Sequence, residues 1–599
     1  MRLYWSLNKL PELRQRSWME RQQAVWQVGL KPFRHLQVWG AMLLTALVTL
    51  WALETLVGNV LWSPALSASA ANPLSWTFAL LLAAAFTVTS LATLIFMHAY
   101  LKALRPYLGQ VSFNRRGSAL RALAGSTVIN LAAPVLIVAI MTGLDLAINS
   151  LDASPDPRMA AITSWPEPIP ASANGAIAAA GLMAPPGASP FDAGERWITA
   201  TNDAARKHTH DFPPVPDGLK YAAYLSKAQA EAEKKGGKPV KPKASAQFCE
   251  IGSESCWKAV RQDPGAVNAW LGANQELLAR YQALQKYPQW QYAISPGSMG
   301  VPIPPYQALI RGQSLFLASA MLAFDKKQAG KGLDMIGADL RFVRTFMAGE
   351  DTVIAKMVAS AMLTRDLAVL AETLQERPGD LKPYWAQLEN MLEPLTPRQV
   401  SPADAFRFEE RWMASHAGAD DFAQALGAPI ALTWEARRHY RPNASANMMV
   451  EFWETAIRQT EVTGTSYTPP IAKQDALSRF EFSRWFGFMH NQTGKFLVLD
   501  GLPEYHDYAN RLFDVNALNA LVRLKLALAK NHVAAQDVPA FLKASGKTVW
   551  NPETGKPFEW DAARKQIYFV PAADITRRRY TLGSGVPGRV GLPAAQAAP

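Results

Sequence analysis

The stretch Val38–Trp62, VWGAMLLTALVTLWALETLVGNVLW, carries a single charged residue, Glu54. A helix needs about 20 consecutive apolar residues to cross the hydrocarbon of a bilayer. Two similar runs follow, from about Leu74 to Leu101 and from about Leu123 to Ile148, and Asp145 is the only Asp, Glu, Lys or Arg within them. Core helices of a soluble protein seldom come as three such runs in succession, so they read as three membrane spans.

The flanks give an orientation. Residues 1–36 hold seven Lys/Arg, the loop Ser63–Pro73 holds none, and residues 102–121 hold five. The positive-inside rule then places the N-terminus in the cytoplasm, the first loop outside, the second inside, and all that follows the third span outside. Trp39, Trp62, Trp76 and Tyr100 stand near span ends, where amphipathic rings favour the interface. Ala68–Ala71 resembles a signal-peptidase site. The long region before it and the length of the apolar run make an uncleaved anchor the better reading. Glu54, Asn59, His98, Asn130 and Asp145 are the strongly polar groups within the spans; helix-end solvation or an interhelical contact accounts for them, and three spans with so little polar lining do not suggest a transporter acting alone.

The charge distribution agrees. Of the formal net charge of +12 over 599 residues, the first 150 residues carry +8, from 12 Lys/Arg and four acids. The excess sits beside the apolar runs as a topology signal, and no nucleic-acid partner follows from it. Ser17 and Glu20 fit a capping box opening a helix to about Leu30. That helix, with Trp18, Val25 and Trp26 among charges, either lies on the inner leaflet or packs on the loop after the second span.

With 49% hydrophobic and 18% charged residues, the chain can build a large core. Residues 150–245 read as a Pro/Ala-rich tether with a short helix, because Pro166–Pro170 and Met183–Gly187 resist ordering. Residues 246–400 turn helical. Asp263 starts a helix, and Leu333, Ile336, Leu340, Val343 and Met347 recur at spacings of 3, 4, 3 and 4, a single apolar stripe. Gly330 and Gly332 suggest a turn, and Asp351 is placed to cap the next helix. Residues 401–570 are rich in aromatics, which serve as core or line a groove for peptide, lipid or glycan. An amphipathic helix over 511–530 has Arg511, Arg523, Lys525 and Lys530 as its charged positions. Asn551–Gly555 is a turn signal, and Lys556–Trp560 with Ile567–Val570 form a β-hairpin. Residues 571–599 read as a basic flexible tail, and 1–36 and 37–149 as the cytoplasmic segment and the membrane anchor. The expected fold is mainly α: three transmembrane helices, then a large α-helical extracytoplasmic domain, bundle or repeat-like, ending in a small β-hairpin.

Chemistry is sparse. Cys249 and Cys256 are the only cysteines; in an oxidising compartment they favour a disulfide closing a short loop, with free thiols as the alternative. His208, His210 and Asp211 are three potential zinc ligands in four residues, yet their flanks suit a solvated surface. Glu409 and Glu410, with His416 and Asp420–Asp421, are the nearest approach to an acid–base set. Neighbouring residues on a helix point apart, and Arg407 and Arg411 stand beside them, so a salt-bridged helix face is the better account. His439 with Arg437, Arg438 and Arg441 makes a basic patch, either solvated or facing anionic lipid or glycan. Gly583–Gly588 matches G-x-G-x-x-G, but Pro587 interrupts it and a tail follows it, so no dinucleotide cofactor is implied. No phosphate-loop lysine, G-x-S-x-G or H-E-x-x-H motif occurs, and the sequence names no cofactor or metal.

Residues Cys249–Cys256, Leu278–Tyr281 and Arg365–Leu370 resemble part of a group of proteobacterial envelope proteins, and Asn551–Phe558 is similar to a hairpin that closes many bacterial proteins. Together these cover about a quarter of the chain and bring no catalytic residues. The resulting expectation is a bacterial inner-membrane protein whose partners are the bilayer and an envelope protein, acting as an interaction scaffold. The alternatives are a periplasmic hydrolase or lipid- or glycan-modifying enzyme using Glu409, Glu410 or His416, and an accessory subunit of a transport or secretion complex.

Overall fold

A computed structural model describes residues 6–62, 76–113, 139–140, 143, 146–207, 212–224, 256–295, 302–415, 439–461, 490–491, 493–495, 505–546, 549–563, 565–573 and 589–591. It is mainly α-helical with a small C-terminal antiparallel sheet. Two compact units divide the chain, one formed by Met1–Ser154, Pro429–Ser445 and Ala476–Gly501 and the other by the remainder.

The first unit opens with α1 (Trp18–Val28). Ser17 and Glu20 form its capping box: the Glu20 amide donates to Ser17 Oγ at 3.3 Å and the Ser17 amide to Glu20 Oε2 at 2.8 Å. Next come α2 (Leu36–Trp62) and α3 (Trp76–Leu104), packed together. At 1.5 Å per residue, the 27 residues of α2 extend about 40 Å. Among the described residues one stretch, Thr87–Gln110, is long and apolar enough to cross a membrane, with mean hydropathy 1.3; Leu36–Thr49 is apolar but shorter. The loop Ser63–Pro73 and most of the third expected span lie outside the described residues. Leu10, Leu13, Val28, Val38, Met42, Phe96 and Leu104 form this unit's core, and Thr45 Oγ1 donates across it to the Ala92 carbonyl at 2.9 Å.

The second unit is built on long helices. After α4 (Gly175–Ala180) and α5 (Pro190–Arg206) come the shorter α6 (Cys256–Gln262), α7 (Pro264–Ala273) and α8 (Gln275–Leu284). Then follow α9 (Tyr306–Asp325), α10 (Ala329–Gly349), α11 (Val353–Glu376), α12 (Ala403–Ser415), α13 (Pro442–Thr460, whose first turn belongs to the first unit) and α14 (Tyr505–Lys530). Neighbours α9, α10 and α11 pack in sequence, and α14 packs against α11. Asp263 caps α7 as its sequence implies, its Oδ1 accepting from the Ala266 amide at 2.9 Å. The stripe Leu333–Met347 is fully buried on α10. Strand β1 (Glu559–Asp561) pairs antiparallel with β2 (Gln566–Tyr568), Trp560 opposite Ile567.

Four expectations are corrected. The tether expected over residues 150–245 is overturned from Gly175 to Arg206, where Ile177 and Ala180 of α4 and Trp197 and Ile198 of α5 are buried in one cluster. Alanine and glycine there let two helices approach closely, since a Cβ on Gly194 would fall on the Ile177 carbonyl and one on Gly181 on the Pro190 carbonyl. Buried Arg280 fastens the following turn, donating to the carbonyls of Leu182 (3.0 Å), Ala184 (2.7 Å), Pro185 (2.9 Å) and Ala188 (3.2 Å). The tail is not wholly loose, because β3 (Arg589–Gly591) adds to β2. Gly330 and Gly332 lie inside α10, and a Cβ on Gly332 would come 2.5 Å from the Phe324 ring. Finally, Thr352 rather than Asp351 caps α11, its side chain accepting from the Ala355 amide at 3.2 Å.

Candidate functional site

Within the second unit, a cleft of about 190 Å³ opens where α12 meets the N-termini of α9 and α11 and the extended segment after α8. Spacing along α12 explains the wall it contributes: Phe408 and Trp412, four apart, share a face, and Glu409 flanks it. Tyr292 and Tyr306 complete the aromatic lining, with Tyr292 edge-on to Phe408 at 5.2 Å. Ile303 and Ile354 also line it and are exposed large apolar side chains.

Glu409 belongs to this cleft. Its Oε1 accepts from the Val353 amide at 3.4 Å, at the N-terminus of α11, where the helix dipole favours negative charge. Burial wins over that stabilisation and pushes the carboxyl up to about 7, with nearby Asp351 adding to the rise. Asp351 accepts from the Tyr292 amide at 3.2 Å and is still raised by burial to about 6. Buried Glu350 is held well above the usual carboxylate range by desolvation and by Asp351. Burial also raises the Tyr292 and Tyr306 phenols, so both stay neutral. Behind them Lys356, pushed down to about 8 by burial, donates to the carbonyls of Arg398 at 2.8 Å and Ser401 at 3.1 Å. Among the described residues no basic side chain lines the cleft. A carboxyl poised near neutrality in an aromatic cleft can donate a proton, or can ionise to pair with an incoming cation.

The structure separates Glu410 from Glu409. Glu410 is buried away from the cleft, raised to about 7 by desolvation and then by Glu454, with Arg158 opposing. Among the described residues Arg407 pairs with Asp404 at 3.1 Å and Glu461 at 2.7 Å, and not with Glu409 or Glu410. His416, Asp420, Asp421, His208, His210, Asp211 and Cys249 lie outside the described residues, as do Arg437 and Arg438; of Cys256 only the backbone is described, at the start of α6. No disulfide is present among the described residues. In the first unit, Arg441 of the basic patch donates its amide to Asn491 Oδ1 at 2.7 Å. Among the described residues no group of three or more His, Cys, Asp or Glu could hold a metal ion.

Sequence reasoning missed a second polar cluster in the bundle interior. Asp339 Oδ1 accepts from Tyr281 Oη at 2.7 Å and Gln285 Nε2 at 3.1 Å; Gln313 Nε2 bonds Asp339 Oδ2 at 3.2 Å and Asp366 Oδ1 at 2.9 Å. Desolvation, with Asp339 alongside, holds Asp366 far above the usual carboxylate range. The cluster cross-links α8, α9, α10 and α11.

No family model matches the chain, and no curated protein or solved structure matches it.

Proposed function

We propose that the chain is a bacterial inner-membrane protein in which three spans, N-terminus cytoplasmic, anchor an α-helical domain that captures an envelope partner. The apolar Thr87–Gln110 stretch and the lysines and arginines of residues 1–36 and 102–121 support the anchor and its direction. The aromatic cleft carries the capture reading. Its exposed rim isoleucines and ring-lined interior suit an inserted apolar or aromatic side chain, and the Glu409 carboxyl suits a basic residue beside it. Photo-crosslinkers placed at Ile354 and Trp412 in living cells test this. One defined envelope protein should be captured at both positions, and capture at Ile354 should vanish on Trp412→Ala. Crosslinking no stronger than at exposed Val570 refutes it.

A second reading is a periplasmic hydrolase or glycan-modifying enzyme with Glu409 as general acid, favoured by its raised carboxyl in that cleft. Turnover of isolated envelope material that Glu409→Gln abolishes would establish it; turnover unaffected by that change removes Glu409 from the chemistry.

A further inference from the structure

Helix α1 buries Ala24, Val25 and Val28 and leaves its two tryptophans outside. Gln22 and Gln23 are buried beside that apolar face, and Gln23 Nε2 donates to the Ser112 carbonyl at 3.2 Å. Gln27 closes a two-point pairing with the same residue, donating to the Ser112 carbonyl at 2.9 Å while its Oε1 accepts the Ser112 amide at 3.0 Å. Tyr100 of α3 donates to the Gly29 carbonyl at 2.8 Å, and Arg105 pairs with Glu12 at 2.5 Å. These contacts fix the helix beside the end of α3 without using its largest apolar side chains. Trp18 is 56% exposed and Trp26 48%, followed by Leu30 at 65% and Leu36 at 85%.

Apolar exposure then continues onto α2 through Trp39, Leu43 and Leu44. Charge is one-sided over the same residues. From Arg21 to Leu53 the sequence contains no acid, while Arg21, Lys31 and Arg34 fall within it. Arg14 and Arg34 are exposed and have no ion pair among the described residues. A water-facing helix gains nothing from outward tryptophans, whereas indole rings and basic side chains together match the headgroup layer of a bilayer.

We infer that α1 lies in the membrane surface, Trp18 and Trp26 seated among headgroups and Arg14, Arg21 and Arg34 paired with anionic lipid phosphates. This rests on the reading of the chain as membrane-anchored. The polar latch to Ser112 fixes the helix's height relative to α3, so the surface contact is built into the anchor.

The test uses the full chain with Cys249→Ser and Cys256→Ser, an environment-sensitive fluorophore on Trp26→Cys, and a second version on Trp18→Cys. Each is reconstituted into phosphatidylcholine vesicles with or without phosphatidylglycerol. Alkaline carbonate first checks anchoring: extraction of the chain would overturn the anchor and this inference together. With the chain retained, both labels should blue-shift and show several-fold less quenching by iodide than a label on Asn8→Cys. Removing phosphatidylglycerol or raising salt should weaken that protection. Labels as open to iodide as Asn8→Cys in both vesicle types overturn the inference while leaving the anchor intact. Protection that grows with protein density and ignores lipid charge also overturns it, assigning the face to a second copy.

Discussion

Lys525 offers the sharpest test of the packing. It lies on α14 with its side chain buried against α11, its amine 3.3 Å from Gln375 Oε1 and near Glu372 and Glu376. Desolvation pulls it from 10.5 down to about 7, while burial pushes Glu372 up to about 7. Near neutral pH, uncharged partners therefore compete with an ion pair. The lysine displacement alone corresponds to about 5 kcal/mol between its protonation states. Lys525→Met keeps most of the side-chain volume and removes the amine. Loss of the Gln375 hydrogen bond costs about 1 kcal/mol, offset in part because half-buried Gln375 can reach water. The expected net is a gain of about 1–4 kcal/mol, or several degrees in Tm for the detergent-solubilised chain. The sign follows from proton binding. Between about 7 and 10.5 the unfolded chain holds more protons on this lysine, so it favours folding increasingly as pH rises. The advantage of Lys525→Met should therefore be largest below about 7 and shrink towards 10.5. A variant less stable than wild type at pH 7, or an advantage independent of pH, would refute the reasoning.

Gly194→Ala should lower stability by at least about 1–3 kcal/mol, because its Cβ meets the Ile177 carbonyl and the α4–α5 crossing must open; thermal unfolding checks it. Arg280→Lys should cost about 3–5 kcal/mol, since one ammonium cannot serve the carbonyls that the guanidinium fork now holds, and hydrogen exchange should rise at residues 182–188. Glu409→Gln should flatten the fall in stability between about pH 4.5 and 7. In that window the native carboxyl holds a proton that the unfolded one has released, so wild type loses up to about 3 kcal/mol as pH rises, and Tm against pH for both proteins measures it.

Local signals were legible in the sequence. The Ser17–Glu20 capping box, the Asp263 cap and the 3-4-3-4 stripe depend on residues within one or two turns, and the structure forms them where the spacing places them. Long-range features were not. Asp339 lies one residue before Leu340 and three after Ile336, at the edge of the stripe, yet only helices from 281 to 366 reveal its four partners. Lys525 read only as a charged position of an amphipathic helix, because a lysine gives no sign that a second long helix covers it. The Ala/Gly-rich stretch at 175–194 looked unable to bury surface, when its small residues were what let two backbones meet. Glu409 was visible as an acid, but its aromatic surroundings come from Tyr292 and Tyr306, more than a hundred residues earlier.

The most direct measurement is a pair of C-terminal fusions after Pro599, one to a phosphatase that folds only outside the cytoplasm and one to a fluorescent protein that matures only inside. Three spans require phosphatase activity without fluorescence. Fluorescence without phosphatase activity would put the aromatic cleft on the cytoplasmic side and contradict the account.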